Sequence, residues 1–330
     1  MRILFMGTPE FAVASLDALI RDGQDIVGVV TSPDKAAGRG RQVRYSDVKK
    51  YILEKTDKSQ KKDQTLNSLK ILQPEKLKSP EFLAELNALN PELIVVVAFR
   101  MLPEEVWGYP ALGTINLHAS LLPQYRGAAP INRVIMNSEK VTGVTTFFIE
   151  KDMDTGKIIM QEPVSIEAED NAGILHDKIM ETGANLLVRT VNTIKKGNPP
   201  GTDQSSLLKP GEQIKTAPKI FKEDCMIDWD QPLQVVHDQI RGLSPYPAAW
   251  TTLVSPEGQE RNLKVFASAK LERGSMFPAG TLMTDGKSRF EVVCRDGLIL
   301  LTEVQLEGKR RMSIKDFMRG MKDLPSYKLK

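Results

Sequence analysis

Apolar and polar positions along this chain recur with two periods, and the changes from one to the other mark the elements. Residues 2–6 (Arg-Ile-Leu-Phe-Met) form a short apolar run that stops at Gly7, as a buried parallel strand would. Thr8 then stands where a helix cap is expected, and Pro9 where a helix tolerates a missing N–H. Val13, Leu16 and Ile20 recur at helical spacing, and residues 25–30 are apolar again. Strand, helix and strand in that order are a βαβ opening. Residues 71–74 are expected to return to the same sheet, and Ser79-Pro80 to start a helix that runs through Leu89. The continuous run 93–98 (Leu-Ile-Val-Val-Val-Ala) fits a central parallel strand covered on both faces. Further strands are expected at 114–117, at 143–149 and after 157, with helices at 130–137 and 171–195. The alternation predicts an α/β fold with a mostly parallel sheet and helices on both faces.

The pattern breaks at 196–202 (Lys-Gly-Asn-Pro-Pro-Gly-Thr), and from Ile220 a different one begins. A helix at 230–240 and a stiff Pro-rich turn at 242–250 lead into short β segments at 263–267, 280–283, 290–294 and 298–306. Short strands joined by Gly and Pro turns predict a small barrel. The expected domains are therefore 1–200 and 218–330, with 201–217 as a linker. A length of 330 residues suits two domains of ordinary size.

Candidate chemistry gathers at 113–130. Asn116 and His118 are two apart on a strand, so their side chains share one face. An amide that donates two hydrogen bonds would then stand beside an imidazole that titrates near neutrality. Such a pair can hold an oxyanion and move a proton in acyl transfer; it can also be no more than a polar pair closing a strand. The loop that follows, 120–130, is punctuated by Pro123 and Pro130 and carries Arg126. Loops at the C-terminal ends of strands are where open α/β sheets bind ligands.

Composition narrows the classes. With 41% hydrophobic and 26% charged residues the chain reads as soluble and globular, and no apolar run reaches the roughly 18 residues of a membrane helix. No secretory leader is expected, since the first residues go straight into a strand. The two cysteines, Cys225 and Cys294, have no metal-ligand spacing and read as buried or half-buried thiols of a cytoplasmic protein. The turn Gly7-Thr8-Pro9-Glu10-Phe11 is not a dinucleotide fingerprint, because Pro9 occupies a place where a pyrophosphate needs close backbone approach. No metal and no nucleotide cofactor are expected. A net charge of +3 permits an anionic partner without requiring one, so the positions of the charges matter more than their sum. Lys35, Arg39, Arg41 and Arg44 lie among glycines at 32–44, and a second cluster, from Lys309 to Lys330, closes the chain. Both suit contact with phosphates; a solvated loop and a solvated tail are the plain alternatives. The polar tract at 51–67 reads as a surface insertion.

The run N-L-H-A-S-L-L-P-x-Y-R-G-A-A-P resembles the formyltransferases that use 10-formyltetrahydrofolate, and the resemblance covers nearly the whole chain. It implies a Rossmann-like sheet that binds no nucleotide and a C-terminal OB-like barrel. It is nearest to the branch that formylates the α-amino group of methionine on initiator methionyl-tRNA. In that reading Asn116 holds the oxyanion, His118 moves the proton, and Asp154 of D-T-G is the matching acid, with Asp152 as a local rival. Asp154 could equally cap its turn. Ser120, Leu121, Leu122 and Pro123 are assigned to the folate. Arg39 would be the wedge of a P-D-x-x-A-G-R-G loop that enters the acceptor stem, with Lys35, Arg41 and Arg44 as further tRNA contacts. Arg100 and Met101 depart from the family pattern at a loop expected to line the folate pocket. A sugar-nucleotide N-formyltransferase with the same donor is the alternative acceptor class. No membrane partner and a monomeric state are expected.

Overall fold

A computed structural model describes residues 1–37, 42–58, 69–197, 199–321 and 323–330. The chain divides into two compact units. One comprises residues 1–126, 143–164 and 178–216, the other 127–142, 165–177 and 217–330.

The first unit is built on a seven-stranded sheet. Strands β1 (Arg2–Gly7), β2 (Asp25–Val30), β5 (Lys70–Leu72), β6 (Leu93–Val97) and β7 (Thr114–His118) are mutually parallel where they pair, and β8 (Val141–Phe148) runs antiparallel to β7. With β9 (Ile158–Ser165) the spatial order is β5-β2-β1-β6-β7-β8-β9. The chain steps outward from β1 to β2 and β5, then returns to the other side of β1 at β6. The strand order therefore reverses beside the C-terminal ends of β1 and β6, where ligands bind in sheets of this kind. Two short strands, β3 (Lys35–Ala37) and β4 (Gln42–Arg44), form a separate antiparallel ladder.

Helix α1 (Glu10–Arg21) begins one residue later than expected: Pro9 is its cap, in extended conformation, and Thr8 makes no capping bond. Gly7 lets this first turn lie against the end of β1, since an added Cβ would be 2.5 Å from the Ala12 Cβ. Helix α2 (Asp47–Lys58) occupies the start of the polar tract, anchored by Val48 and Ile52 one turn apart and buried. The remainder of the presumed insertion, 59–67, lies outside the described residues. Helix α3 (Pro80–Leu89) starts as read, with the Ser79 hydroxyl accepting from the Phe82 N–H. Short α4 (Glu104–Trp107) follows β6. The core on one side of the sheet joins Leu4, Met6, Val30, Ile94 and Val96 to Phe82, Leu86 and Val106. Each such side chain contributes roughly 1.5–3 kcal/mol by leaving water.

In the second unit, helix α5 (Pro130–Met136) packs against α7 (Leu233–Leu243). The long helix α6 (Ala172–Lys195) supplies residues 172–177 here and the rest to the first unit. A nearly closed antiparallel barrel follows, ordered β12-β13-β14-β11-β10-β16, from β10 (Ala249–Val254), β11 (Glu260–Leu271), β12 (Leu282–Thr284), β13 (Phe290–Val293), β14 (Leu298–Leu306) and β16 (Lys328–Leu329). Strand β15 (Met312–Ser313) adds to β14 and runs into α8 (Ile314–Arg319). The fold class is the expected one, a Rossmann-like sheet with an OB-like barrel. Boundaries differ where distant residues set them. Helix α7 starts three residues late because the Asp296 carboxylate, from a barrel turn, accepts from the Leu233 N–H at 2.6 Å and Pro232 holds the cap extended. Strand β10 begins inside what the Pro-rich pattern marks as turn. Cys225 and Cys294 are both free and buried, and burial pushes the Cys294 thiol up to about 12.

Candidate active site

The site grows from the register of two strands in the first unit. Antiparallel pairing sets Asn116 opposite Phe147 and His118 opposite Thr145, so these four side chains share one face. On the other face Leu117 is buried near Gly183 of α6, where an added Cβ would come within 3.0 Å of it. On the shared face Phe147 meets the imidazole edge-on, with ring centroids 6.5 Å apart.

His118 is buried, and its Nε2 lies 2.9 Å from the Tyr125 carbonyl oxygen. A carbonyl only accepts, so Nε2 donates, and in the neutral ring Nδ1 is left bare. Nδ1 faces Asp154, whose Oδ2 is 3.8 Å away. That gap suits an ion pair once the ring is protonated, or one bridging water. Asp152, the rival carboxylate, is exposed, and its carbonyl is taken by the Thr155 hydroxyl. The half-buried amide of Asn116 has no hydrogen-bond partner among the described residues, so both its donors are available. The structure thus brings Asn116, His118 and Asp154 to one side of the β7 terminus.

The Asp154 turn has its own constraints. Asp154 is in the left-handed region at φ 55°, and Gly156 passes so close to β8 that an added Cβ would lie 1.8 Å from the Phe148 carbonyl oxygen. D-T-G therefore needs its glycine for space.

The segment 120–123 is pinned rather than loose. The Thr145 hydroxyl donates to the Ser120 carbonyl at 2.6 Å and accepts from the Leu122 N–H at 3.1 Å. Gln161 donates to the Leu122 carbonyl at 2.8 Å and to the Thr145 hydroxyl at 2.9 Å. Ser120 donates to the Gln124 carbonyl. Ser120, Leu122 and Pro123 are buried, and Leu121 keeps the most exposed surface of the four. Thr145 and Gln161 escaped sequence reading because nothing local marks them. Only the strand register shows that Thr145 stands across from the imidazole. Gln204 escaped for the same reason, lying in a polar stretch without periodicity, although it is buried and bonded to the Asp154 turn.

At the departure from the family pattern, Arg100 turns back onto the carbonyls of Pro74 and Glu75, and Met101 is 74% exposed.

Of the four cations expected to meet tRNA, Arg39 and Arg41 lie outside the described residues. Lys35 and Arg44 are exposed and directly opposed in the β3–β4 ladder. Like charges so placed repel one another, and an anion would relieve that repulsion. Asp34 at the base of this ladder accepts from Gln73 and from Lys49, which hold its carboxyl below the usual carboxylate range. In the tail, Arg311, Arg319 and Lys330 pair with Glu303, Asp316 and Glu260, while Lys309 and Arg310 are exposed. Among the described residues no helix is long and apolar enough to cross a membrane.

Comparison with known proteins gives three kinds of match. Residues 1–191 match the family model described as formyl transferase, and residues 219–322 match that of the formyl transferase C-terminal domain. A methionyl-tRNA formyltransferase of Bacteroides fragilis is 47% identical over 330 residues, covering 100% of this chain and 98% of its own. A protein of the same name from Azobacteroides pseudotrichonymphae is 50% identical over 321 residues, covering 97% and 95%. Among solved structures, HypX from Aquifex aeolicus in complex with tetrahydrofolic acid is similar at a TM-score of 0.60 and 16% identity. That match covers 97% of this chain and 48% of HypX, so this chain spans about half that protein's length and the likeness is one of fold.

Proposed function

The chain belongs to the formyl transferase family, and from that premise we propose that it moves the formyl group of 10-formyltetrahydrofolate to the α-amino group of methionine on initiator methionyl-tRNA. The observation that carries this reading is the approach of Asp154 Oδ2 to His118 Nδ1 at 3.8 Å, beside the uncommitted amide of Asn116. The methionine amine adds to the formyl carbon, and a C–N bond forms while charge builds on the formyl oxygen. Asn116 donates to that oxygen. His118 takes the proton released by the attacking nitrogen through Nδ1 and returns it to the folate nitrogen as the old C–N bond breaks. Asp154 orients the ring and supports its charged form, with water spanning the gap. None of these steps calls on a metal or a nucleotide cofactor. Contact with the folate through 120–123 falls chiefly to Leu121 and to backbone, since the other three side chains are buried.

In this reading residues 1–200 are the catalytic domain, 201–217 join it to the rest, and 218–330 form an OB-like domain that binds tRNA backbone. Lys35, Arg39, Arg41 and Arg44 meet the acceptor arm. The protein acts as a monomer in the cytoplasm, where charged tRNA is found.

The test is formyl transfer to methionyl-tRNA from 10-formyltetrahydrofolate. Asn116→Ala is expected to lower kcat by about 10²–10³, and His118→Ala by about 10²–10⁴, with tRNA affinity nearly unchanged in both. Turnover within a few-fold of the parent in either variant removes the assigned role. Transfer to an amino-sugar nucleotide, with none to methionyl-tRNA, overturns the acceptor.

A further inference from the structure

Two loops carry the groups at the site, and neither is regular. The loop after β7 holds His118 through the Tyr125 carbonyl at 2.9 Å, and the turn after β8 presents the Asp154 carboxylate. Each has a non-glycine residue in the left-handed region, Tyr125 at φ 61° and Asp154 at φ 55°. Side-chain-bearing residues seldom adopt that conformation unless their surroundings hold them there. Gln204 touches both loops. Its Nε2 donates to the Asp154 carbonyl and to the Gly156 carbonyl, each at 2.9 Å. Its Oε1 accepts from Arg126 twice, from Nε at 3.0 Å and from Nη2 at 2.7 Å. Arg126 is the residue after Tyr125, so the contacts close a ring: His118, Tyr125, Arg126, Gln204, Asp154 and back to His118. At 3% exposure Gln204 is almost wholly removed from water, and all four of these bonds are made inside the protein.

We propose that Gln204 is a positioning residue for formyl transfer: its amide ties the Asp154 turn to the Tyr125–Arg126 backbone and so sets the distance between the carboxylate and the imidazole. This rests on the reading of Asn116, His118 and Asp154 given above. The amide is needed as an amide. Glutamate could still accept from Arg126, but as a carboxylate it has no hydrogen to offer two carbonyls. Leucine would fill the space and bond to neither loop.

The experiment is steady-state formylation of methionyl-tRNA by Q204L and Q204E, each made in the parent and in an Asp154→Asn background. Misplacing a reacting group by an ångström costs about 10²-fold in rate, so kcat is expected to fall roughly 10- to 100-fold in both variants, with KM for tRNA and for the folate within about two-fold. In the Asp154→Asn background the same changes should lower kcat less than about three-fold, because groups acting through one another are not additive. A merely structural brace would instead cost the same factor in both backgrounds, and that result overturns the proposal. So does a Q204E enzyme with parental kcat, which keeps the test decisive if Q204L does not fold. A parent protein that transfers no formyl group to methionyl-tRNA defeats the functional reading itself; an active parent with unaffected Gln204 variants defeats this inference alone.

Discussion

The Nε2–H of His118 is committed to the Tyr125 carbonyl, which leaves Nδ1 as the ring nitrogen on the side of Asp154. His237, in the second unit, is a buried imidazole whose ionisation the fold shifts. It is buried, its Nδ1 lies 3.0 Å from the Ser268 hydroxyl, and burial pushes its pKa down, more than the adjacent Asp238 carboxylate pulls it up. Burial therefore favours its neutral form in the fold. Its folded pKa is below the unfolded one, so the unfolded chain binds the extra proton first. The stability it contributes is complete above the ordinary histidine value of about 6.5 and is lost as pH falls through the lowered folded value. Urea midpoints at pH 7.5 and 5.5 should show a smaller acid loss for His237→Gln than for the parent. Equal losses in the two proteins would contradict this. The alternation of residues around 230–240 marks His237 as helical, but not how deep it sits.

At the scale of elements, the strand pair β7–β8 and the turn after it are what make a site from scattered residues. The apolar runs that mark these strands are plain in the sequence. Their register is not, because it is set by which backbone groups meet across the pair. The D-T-G turn depends on close approach to β8. Gly156→Ala places a methyl group 1.8 Å from the Phe148 carbonyl oxygen, which no side-chain adjustment can relieve. It should cost about 3 kcal/mol or more and displace Asp154, so thermal unfolding and kcat should fall together. A variant with parental melting and turnover would show that the turn has another shape. In the barrel the same lesson holds in reverse. Helix α7 takes its start from Asp296, 63 positions beyond Leu233, and no local pattern around 230 could reveal such a cap.

For the whole molecule, a net charge of +3 says little about a polyanionic partner. Placement says more, since Lys35 and Arg44 oppose each other across a two-stranded ladder. If both meet phosphates, the affinity for initiator tRNA should fall linearly on a log–log plot against salt, with a slope of about 0.9 per phosphate contacted on a duplex stem. Lys35→Glu with Arg44→Glu should then flatten that slope by roughly two. An unchanged slope would mean that these cations face water. Lys309 and Arg310 offer the corresponding comparison in the tail, where three other cations already have carboxylate partners.

Taken alone, the sequence was enough for the α/β class, the short-stranded C-terminal module, and the pairing of an amide with an imidazole at the end of one strand. Each of these follows from periodicity or spacing along the chain, which are local properties. The family resemblance also nominates Asp154 of D-T-G, with Asp152 as its local rival. Only the tertiary structure shows where the two carboxylates lie: the turn, left-handed at Asp154, brings that carboxylate to 3.8 Å from His118 and leaves Asp152 in water. Thr145, Gln161 and Gln204 belong to the same story. Their partners are carbonyls and N–H groups far away along the chain, and a polar side chain bears no mark of the distant backbone it will meet.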